Sequence, residues 1–149
     1  AMDGAPNMLR RAASDPASAG LNIRWVTSLL STFDDIDGFD LIFSNSLLHH
    51  LHSPDELWRI VKSVARPRSW VHISDLRRPA STEEASELVD IYASNEPDIL
   101  QWDFYNSLCA AFTPLEVHAQ LEDCGLTGLE VEALGDRHIQ VFGRLDFTR

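Results

Sequence analysis

Hydrophobic and polar positions along the 149 residues alternate between strand-like runs and helical spacing. Asn7 to Ala13 reads as a short helix, followed by a loop over Ser14 to Gly20. Asn22 to Thr27 (NIRWVT) has the β-branched and aromatic content of a strand. Past the polar, turn-prone Asp34 to Gly38, the segment Phe39 to Ser44 (FDLIFS) is nearly continuous in apolar residues. That pattern predicts a strand buried on both faces, as in a parallel sheet. Leu57, Ile60, Val61 and Val64 then recur at helical spacing and predict an amphipathic helix from Pro54 to Ala65. Ser53 as cap, Pro54 at the first helical position and Glu56 as capping-box partner mark its start. Pro67 forbids its continuation, and Trp70 to Ser74 (WVHIS) is the next strand.

Ser81-Thr82-Glu83-Glu84 repeats the capping-box pattern, with Ala85, Leu88, Val89 and Tyr92 on one apolar face before Asn95-Glu96-Pro97 ends the helix. Asp98 to Phe112 is a further helical stretch rich in aromatics, with Trp102, Phe104, Tyr105 and Phe112. Aromatics on both faces of one helix point to a buried pocket or an interface. Thr113-Pro114-Leu115-Glu116 opens a last helix that stops at Gly125. Leu129 to Leu134 and His138 to Gly143 read as strands joined by the short turn Gly135-Asp136-Arg137, an antiparallel hairpin. Strands alternating with helices predict an α/β open sheet with crossover connections. Ligands bind such sheets at the carboxyl ends of the strands. That directs attention to Asp3, Thr27 to Leu30, Ser44 to His50, and Asp75 to Arg78.

Charge narrows the partners. With 12 Lys+Arg against 23 Asp+Glu the chain carries a formal −11, which argues against a nucleic-acid backbone and against a polybasic membrane patch. No apolar run approaches the roughly 20 residues that span a bilayer, and the opening residues lack the apolar stretch of a signal peptide. Cys109 and Cys124 are too few for a disulfide framework; they read as small core residues in a reduced, cytoplasmic protein. The length suits one domain over residues 1–149. None of the seven glycines pairs with another as G-x-G.

The run Phe39-Asp40-Leu41-Ile42-Phe43-Ser44-Asn45-Ser46-Leu47-Leu48-His49-His50-Leu51 resembles the central strand and following loop of class I S-adenosylmethionine-dependent methyltransferases. His52-Ser53-Pro54-Asp55-Glu56-Leu57 continues that pattern. Ala65-Arg66-Pro67-Arg68-Ser69-Trp70-Val71-His72-Ile73-Ser74-Asp75 is similar to the family's "KPGG", strand and acidic residue in all but the glycines. Met2-Asp3-Gly4-Ala5-Pro6-Asn7-Met8-Leu9 looks like its "D-x-S-x-x-M-L". The resemblance implies a Rossmann-like open sheet, mostly parallel with a C-terminal antiparallel strand pair. It implies too that the family's first strand and its G-x-G-x-G loop, which precede Asp3, are absent from this chain. A strand deprived of that central neighbour is expected to pair elsewhere: Phe39 to Ser44 with Asn22 to Thr27, or with a second copy.

By the same resemblance S-adenosylmethionine is the cofactor and a small molecule the methyl acceptor. Asp3 is implied at the ribose hydroxyls, Ser28 and Leu29 at the adenine, and Asn45 and Ser46 near the methionine part. The plainer alternatives are a turn aspartate at Asp3 and local caps at Asn45 and Ser46. His49, His50, Asp75 and Tyr105 are the candidate catalytic groups; packing is the competing role for the histidines. Adjacent histidines diverge, and no Cys or carboxylate stands at metal spacing, so no metal site is expected. Asp75 with Arg77 and Arg78 suits either an acidic or hydroxylated substrate or a solvated ion-pair cluster. A non-catalytic remnant acting as an interaction or oligomerisation module is the alternative to an enzyme. A nucleotide-binding oxidoreductase is disfavoured by the missing G-x-G and the LHHL run.

Overall fold

The computed structural model describes residues 1–33 and 38–145, which fall into two compact units, Ala1–Asp35 and Ile36–Arg149. The turn predicted at 34–38 lies almost wholly outside the described residues.

In the first unit two short parallel strands, β1 (Met2–Asp3) and β2 (Val26–Thr27), pair Met2 with Val26 and Asp3 with Thr27. Helix α1 (Pro6–Ser14) lies between them, begun by Pro6 and buried through Leu9. The strand expected over Asn22 to Thr27 shrinks to its last two residues, because β1 offers only two residues to pair with. β-propensity without a partner leaves Asn22 to Trp25 irregular.

The second unit is a mixed four-stranded sheet in the order β3 (Phe39–Asn45), β4 (Ala65–Leu76), β6 (His138–Arg144), β5 (Leu129–Leu134). β3 and β4 run parallel, joined by the crossover helix α2 (Asp55–Val64), whereas β4–β6 and β5–β6 are antiparallel. One face is the core. Val71 and Ile73 of β4 and Ile139 and Val141 of β6 are buried there with Leu57, Trp58 and Val61 of α2 and Val117 and Leu121 of α5 (Pro114–Asp123). Each side chain so buried contributes about 1.5–3 kcal/mol. Trp58 also donates its indole N–H to Gln120 Oε1 at 2.9 Å, tying α2 to α5.

Helices α3 (Thr82–Ala93) and α4 (Asp98–Ala110) form a second cluster around Ala85, Leu88, Val89, Ala93 and Leu108. A serine cap starts α3 and a full capping box starts α5. Ser81 Oγ accepts from Glu84 N–H at 3.2 Å, and Thr113 and Glu116 satisfy each other reciprocally at α5. Gly125, at φ 68°, turns the chain after α5. The box expected at Ser53 fails. Ser53 bonds to the Asp55 carboxylate instead, and Pro54 stands at the N-cap of α2 with no side-chain cap.

β3 departs furthest from expectation. It is an edge strand, paired only to β4 among the described residues, and Leu41 and Phe43 are 58% and 75% exposed. Burial on both faces is therefore not realised, and β2 pairs with β1 rather than with β3. Opposite Leu41, Trp70 is 53% exposed on the same face.

Arg68 sits at φ 67°, at the position where the resembling pattern has its first glycine. Its exposed side chain leaves only the backbone to set the conformation. Non-glycine residues at this φ cost about 1–2 kcal/mol, more when β-branched. Arg68→Val is expected to lower the thermal midpoint, while Arg68→Gly leaves it unchanged or raises it. Melting both variants by circular dichroism checks the pair, and a drop for the glycine variant would contradict the backbone argument.

Candidate functional site

β3 and β4 end side by side, and the turn after β3 is bound to the end of β4 by one carboxylate. Asp75 is 2% exposed. Its Oδ2 accepts from the backbone N–H of Leu47 and of Leu48, each at 2.7 Å. Its Oδ1 accepts from Leu76 N–H at 2.8 Å and from the His49 Nδ1–H at 2.5 Å, with His49 N–H more distant at 3.4 Å. Burial pushes the Asp75 carboxyl up, but the hydrogen bond and charge of His49 and the N–H groups of Leu48 and Leu76 outweigh it, so the carboxyl titrates below its ordinary value. Asp75 thus holds a short 3-10 turn, Leu48–His50, that begins with Leu48 buried.

That turn faces α4 across a cleft of about 380 Å³ lined by His49, His50, Asp103, Asn106, Ser107 and Ala110. The four α4 positions are spaced at three, one and three residues, a polar-and-small stripe on one helix face. Asn106 and Ser107 were not singled out as site residues from the sequence, and this stripe is the signal that finds them. The His49 and His50 rings lie 4.0 Å apart and tilted by 41°. Partial desolvation and then the neighbouring His49 hold His50 below its usual range, with Asp75 pulling the other way. Because Nδ1–H donates to Asp75, a neutral His49 carries its lone pair on Nε2.

Other expected site residues fall elsewhere. Tyr105 lies on a different face of α4, in a groove against α3, and does not join the histidines. A hydrogen bond to Cys109, then desolvation and the charges of Cys109 and Glu83, raise its phenol above the ordinary value, which keeps it protonated at neutral pH. Arg77 and Arg78 do not flank Asp75 as a substrate clamp. Arg78 pairs with Glu116, and Arg77 donates to the Asp136 carbonyl at 2.5 Å while its own N–H binds the Arg137 carbonyl at 2.8 Å. Asn45 donates to Ser46 Oγ at 3.2 Å, and Ser46 takes φ 53° with its N–H on the Ser74 carbonyl at 2.9 Å. Both are exposed at the end of β3. In the first unit, Asp3 Oδ1 accepts from Ala5 N–H at 2.7 Å, and Ser28 N–H binds the Asp3 carbonyl at 3.2 Å. Ser28 Oγ is spent locally on the Leu29 carbonyl and Thr32. Leu29 is 62% exposed and so close to Gly4 that a Cβ there would meet its Cδ2 at 3.2 Å.

The Asp75 geometry carries a pH prediction. Its carboxyl titrates lower in the folded chain than the ordinary 3.8, so its stabilisation is present above that value and is lost as pH falls through the folded value. Asp75→Asn is expected to cost at least about 2 kcal/mol at neutral pH, since it removes charge-assisted bonds and sets an NH₂ against backbone donors. Below pH 3.8 the variant's stability is expected to fall less steeply than the parent's, by up to about 1.4 kcal/mol per pH unit for one proton. Urea midpoints measured across that range compare the two slopes; parallel curves would contradict the assignment.

Residues 1–73 match the family described as a methyltransferase domain. No curated protein matches the sequence. Among solved structures, the plantazolicin methyltransferase BpumL, crystallised with a desmethylPZN analog and SAH, superposes with a TM-score of 0.73 at 10% identity over 98% of this chain and 66% of that one. A SAM-dependent methyltransferase from Aquifex aeolicus gives 0.65 at 19%, over 97% and 66%. N-methyltransferase NodS from Bradyrhizobium japonicum, with S-adenosyl-l-homocysteine, gives 0.60 at 13%, over 97% and 64%. At such identities the superpositions speak for the fold, and the chain spans about two thirds of the length of these methyltransferases. Residues 1–73 thus match the methyltransferase domain family, and the mixed sheet has the Rossmann-like fold of the solved methyltransferases, of which the chain covers about two thirds.

Proposed function

We propose that this chain forms part of an enzyme that transfers a methyl group from S-adenosylmethionine to a small-molecule acceptor. The observation that carries the reading is the cleft beside the ends of β3 and β4, where His49, oriented by Asp75, faces the polar stripe of α4. The donor set of the first unit fits the cofactor. Asp3 Oδ2 makes no hydrogen bond among the described residues and offers an exposed acceptor for a ribose hydroxyl, and the exposed Leu29 offers apolar surface to a ring. In the second unit Asn45 and Ser46 present exposed amide and hydroxyl groups at the end of β3. When bound, S-adenosylmethionine would supply a sulfonium-activated methyl group for in-line displacement at carbon.

The chain's own work is positioning and proton removal. His49 Nε2 takes a proton from the acceptor's O–H or N–H, and the Nδ1–H bond to Asp75 holds the ring in that tautomer. Asp103, Asn106 and Ser107 orient the acceptor. The acidic chain suits an acceptor other than nucleic acid, and a cytoplasmic setting agrees with its two free cysteines. Titrating S-adenosylhomocysteine into the full chain by calorimetry tests the reading. Saturable binding that weakens at least about tenfold in Asp3→Ala supports it. Absence of binding overturns it for this chain.

A second reading, a non-catalytic association module, is favoured by one observation. The edge of β3 that is unpaired among the described residues, with its exposed Leu41 and Phe43, suits pairing with a second copy. A homo-oligomer built on that edge is expected to dissociate in Phe43→Lys, read by sedimentation velocity. A parent chain that sediments as a monomer would exclude it.

A further inference from the structure

Away from the strand ends, α3 and α4 leave an open groove of about 470 Å³ lined by Ser86, Val89, Asp90, Asp98, Gln101, Trp102 and Tyr105. Its floor belongs to the helical core: Val89 is 7% exposed, and Tyr105 packs against the same cluster. Its wall is an aromatic pair, Trp102 and Tyr105, stacked at 5.7 Å between centroids with 13° between planes. Trp102 is 61% exposed. A tryptophan held for packing alone would turn its face inward; here the ring stands against a tyrosine and keeps surface open to solvent.

Two carboxylates also line the groove. Asp90 and Asp98 enter no ion pair or side-chain hydrogen bond among the described residues, and no Lys, Arg or His lines the groove. Asp98 lies in the first turn of α4, where the helix dipole favours an acid, but Asp90 lies late in α3, where the dipole disfavours one. A neutral apolar guest would strip water from both carboxylates without compensation. A cation meets both, and its alkyl surface lies against the electron-rich ring faces.

We propose that this groove binds an organic cation, an alkylated ammonium whose methyl or methylene groups lie on Trp102 and Tyr105 and whose charge faces Asp90 and Asp98. None of these residues lines the cleft of His49 and His50, so the site is separate from the proposed transfer site and stands or falls independently of it. The cation arrives as a free quaternary ammonium or as a methylated lysine on another chain; both present the same chemistry.

The test follows the Trp102 indole N–H resonance of the full chain by nitrogen-edited NMR, assigned with Trp102→Phe. Choline and its isostere with carbon in place of nitrogen are titrated at equal ionic strength, beside a short peptide carrying trimethyllysine and its unmethylated counterpart. Choline or the methylated peptide is expected to shift the resonance saturably and to bind at least about tenfold more tightly than its control. Whichever of the two is tighter names the source. Asp90→Asn with Asp98→Asn is expected to weaken cation binding at least about tenfold while leaving the isostere unchanged. Both positions are exposed, and the remaining indole resonances report that the fold is intact. Equal binding of choline and its isostere, or no saturable shift with either cation, overturns the proposal.

Discussion

One buried carboxylate sets the geometry on which the candidate site depends. Asp75 comes at the end of the longest strand, and the donors it collects come from the turn 26 to 28 residues earlier in the chain. A parallel pair of strands leaves both carboxyl ends open at the same edge, with the next turn free to splay. Asp75 closes that freedom. Desolvating a charge to this degree is costly unless every lone pair is engaged, and here backbone N–H groups and one imidazole engage it. The same bonds fix the His49 ring. The position of the turn and the tautomer of the histidine are therefore one structural fact.

Sequence pattern finds those parts of the fold whose causes are local. Ser81 and Thr113 cap their helices because donor and acceptor lie three residues apart, and no distant contact competes. Ser53 has the same spacing to Glu56 but a nearer carboxylate, Asp55, takes its hydroxyl. Strand lengths follow the partner more than the propensity. β4 grows to twelve residues because it has neighbours on both sides, and β2 keeps two because β1 has no more to offer.

At the candidate site, the motif singled out the segments around His49 and Asp75 that the fold brings together, and left out the contacts their side chains make. Asp75 beside Arg77 and Arg78 reads as an exposed charge cluster in one dimension. Strand alternation sends Asp75 into the core face with Val71 and Ile73, whereas the arginines lie beyond the strand end and are drawn off by Asp136, Arg137 and Glu116. Tyr105 and Asn106 are adjacent in sequence yet serve different faces of α4, so an aromatic-rich segment splits into two unlike surfaces. The polar stripe at 103, 106, 107 and 110 is readable at helical period; which element it faces is decided only by tertiary packing.

The glycine departures show how this chain holds a backbone that the resembling pattern assigns to glycine. Arg68 occupies a left-handed position that glycine would hold without strain, and its backbone is kept there by contacts from another strand: its N–H binds the Leu145 carbonyl at 2.9 Å and its carbonyl accepts from Arg144 Nε at 3.2 Å. Ser46 likewise takes φ 53° at the end of β3, where its N–H reaches the Ser74 carbonyl. Both strained residues border the β3–β4 pair, and both are over-determined by hydrogen bonds to a neighbouring strand. The local preferences that glycine usually meets are here met by sheet pairing. The motif at the end of β3 consequently depends on an intact sheet rather than on its own residues, and whatever engages the edge of that strand left unpaired among the described residues acts on the same segment that carries Asn45, Ser46 and the His49 turn.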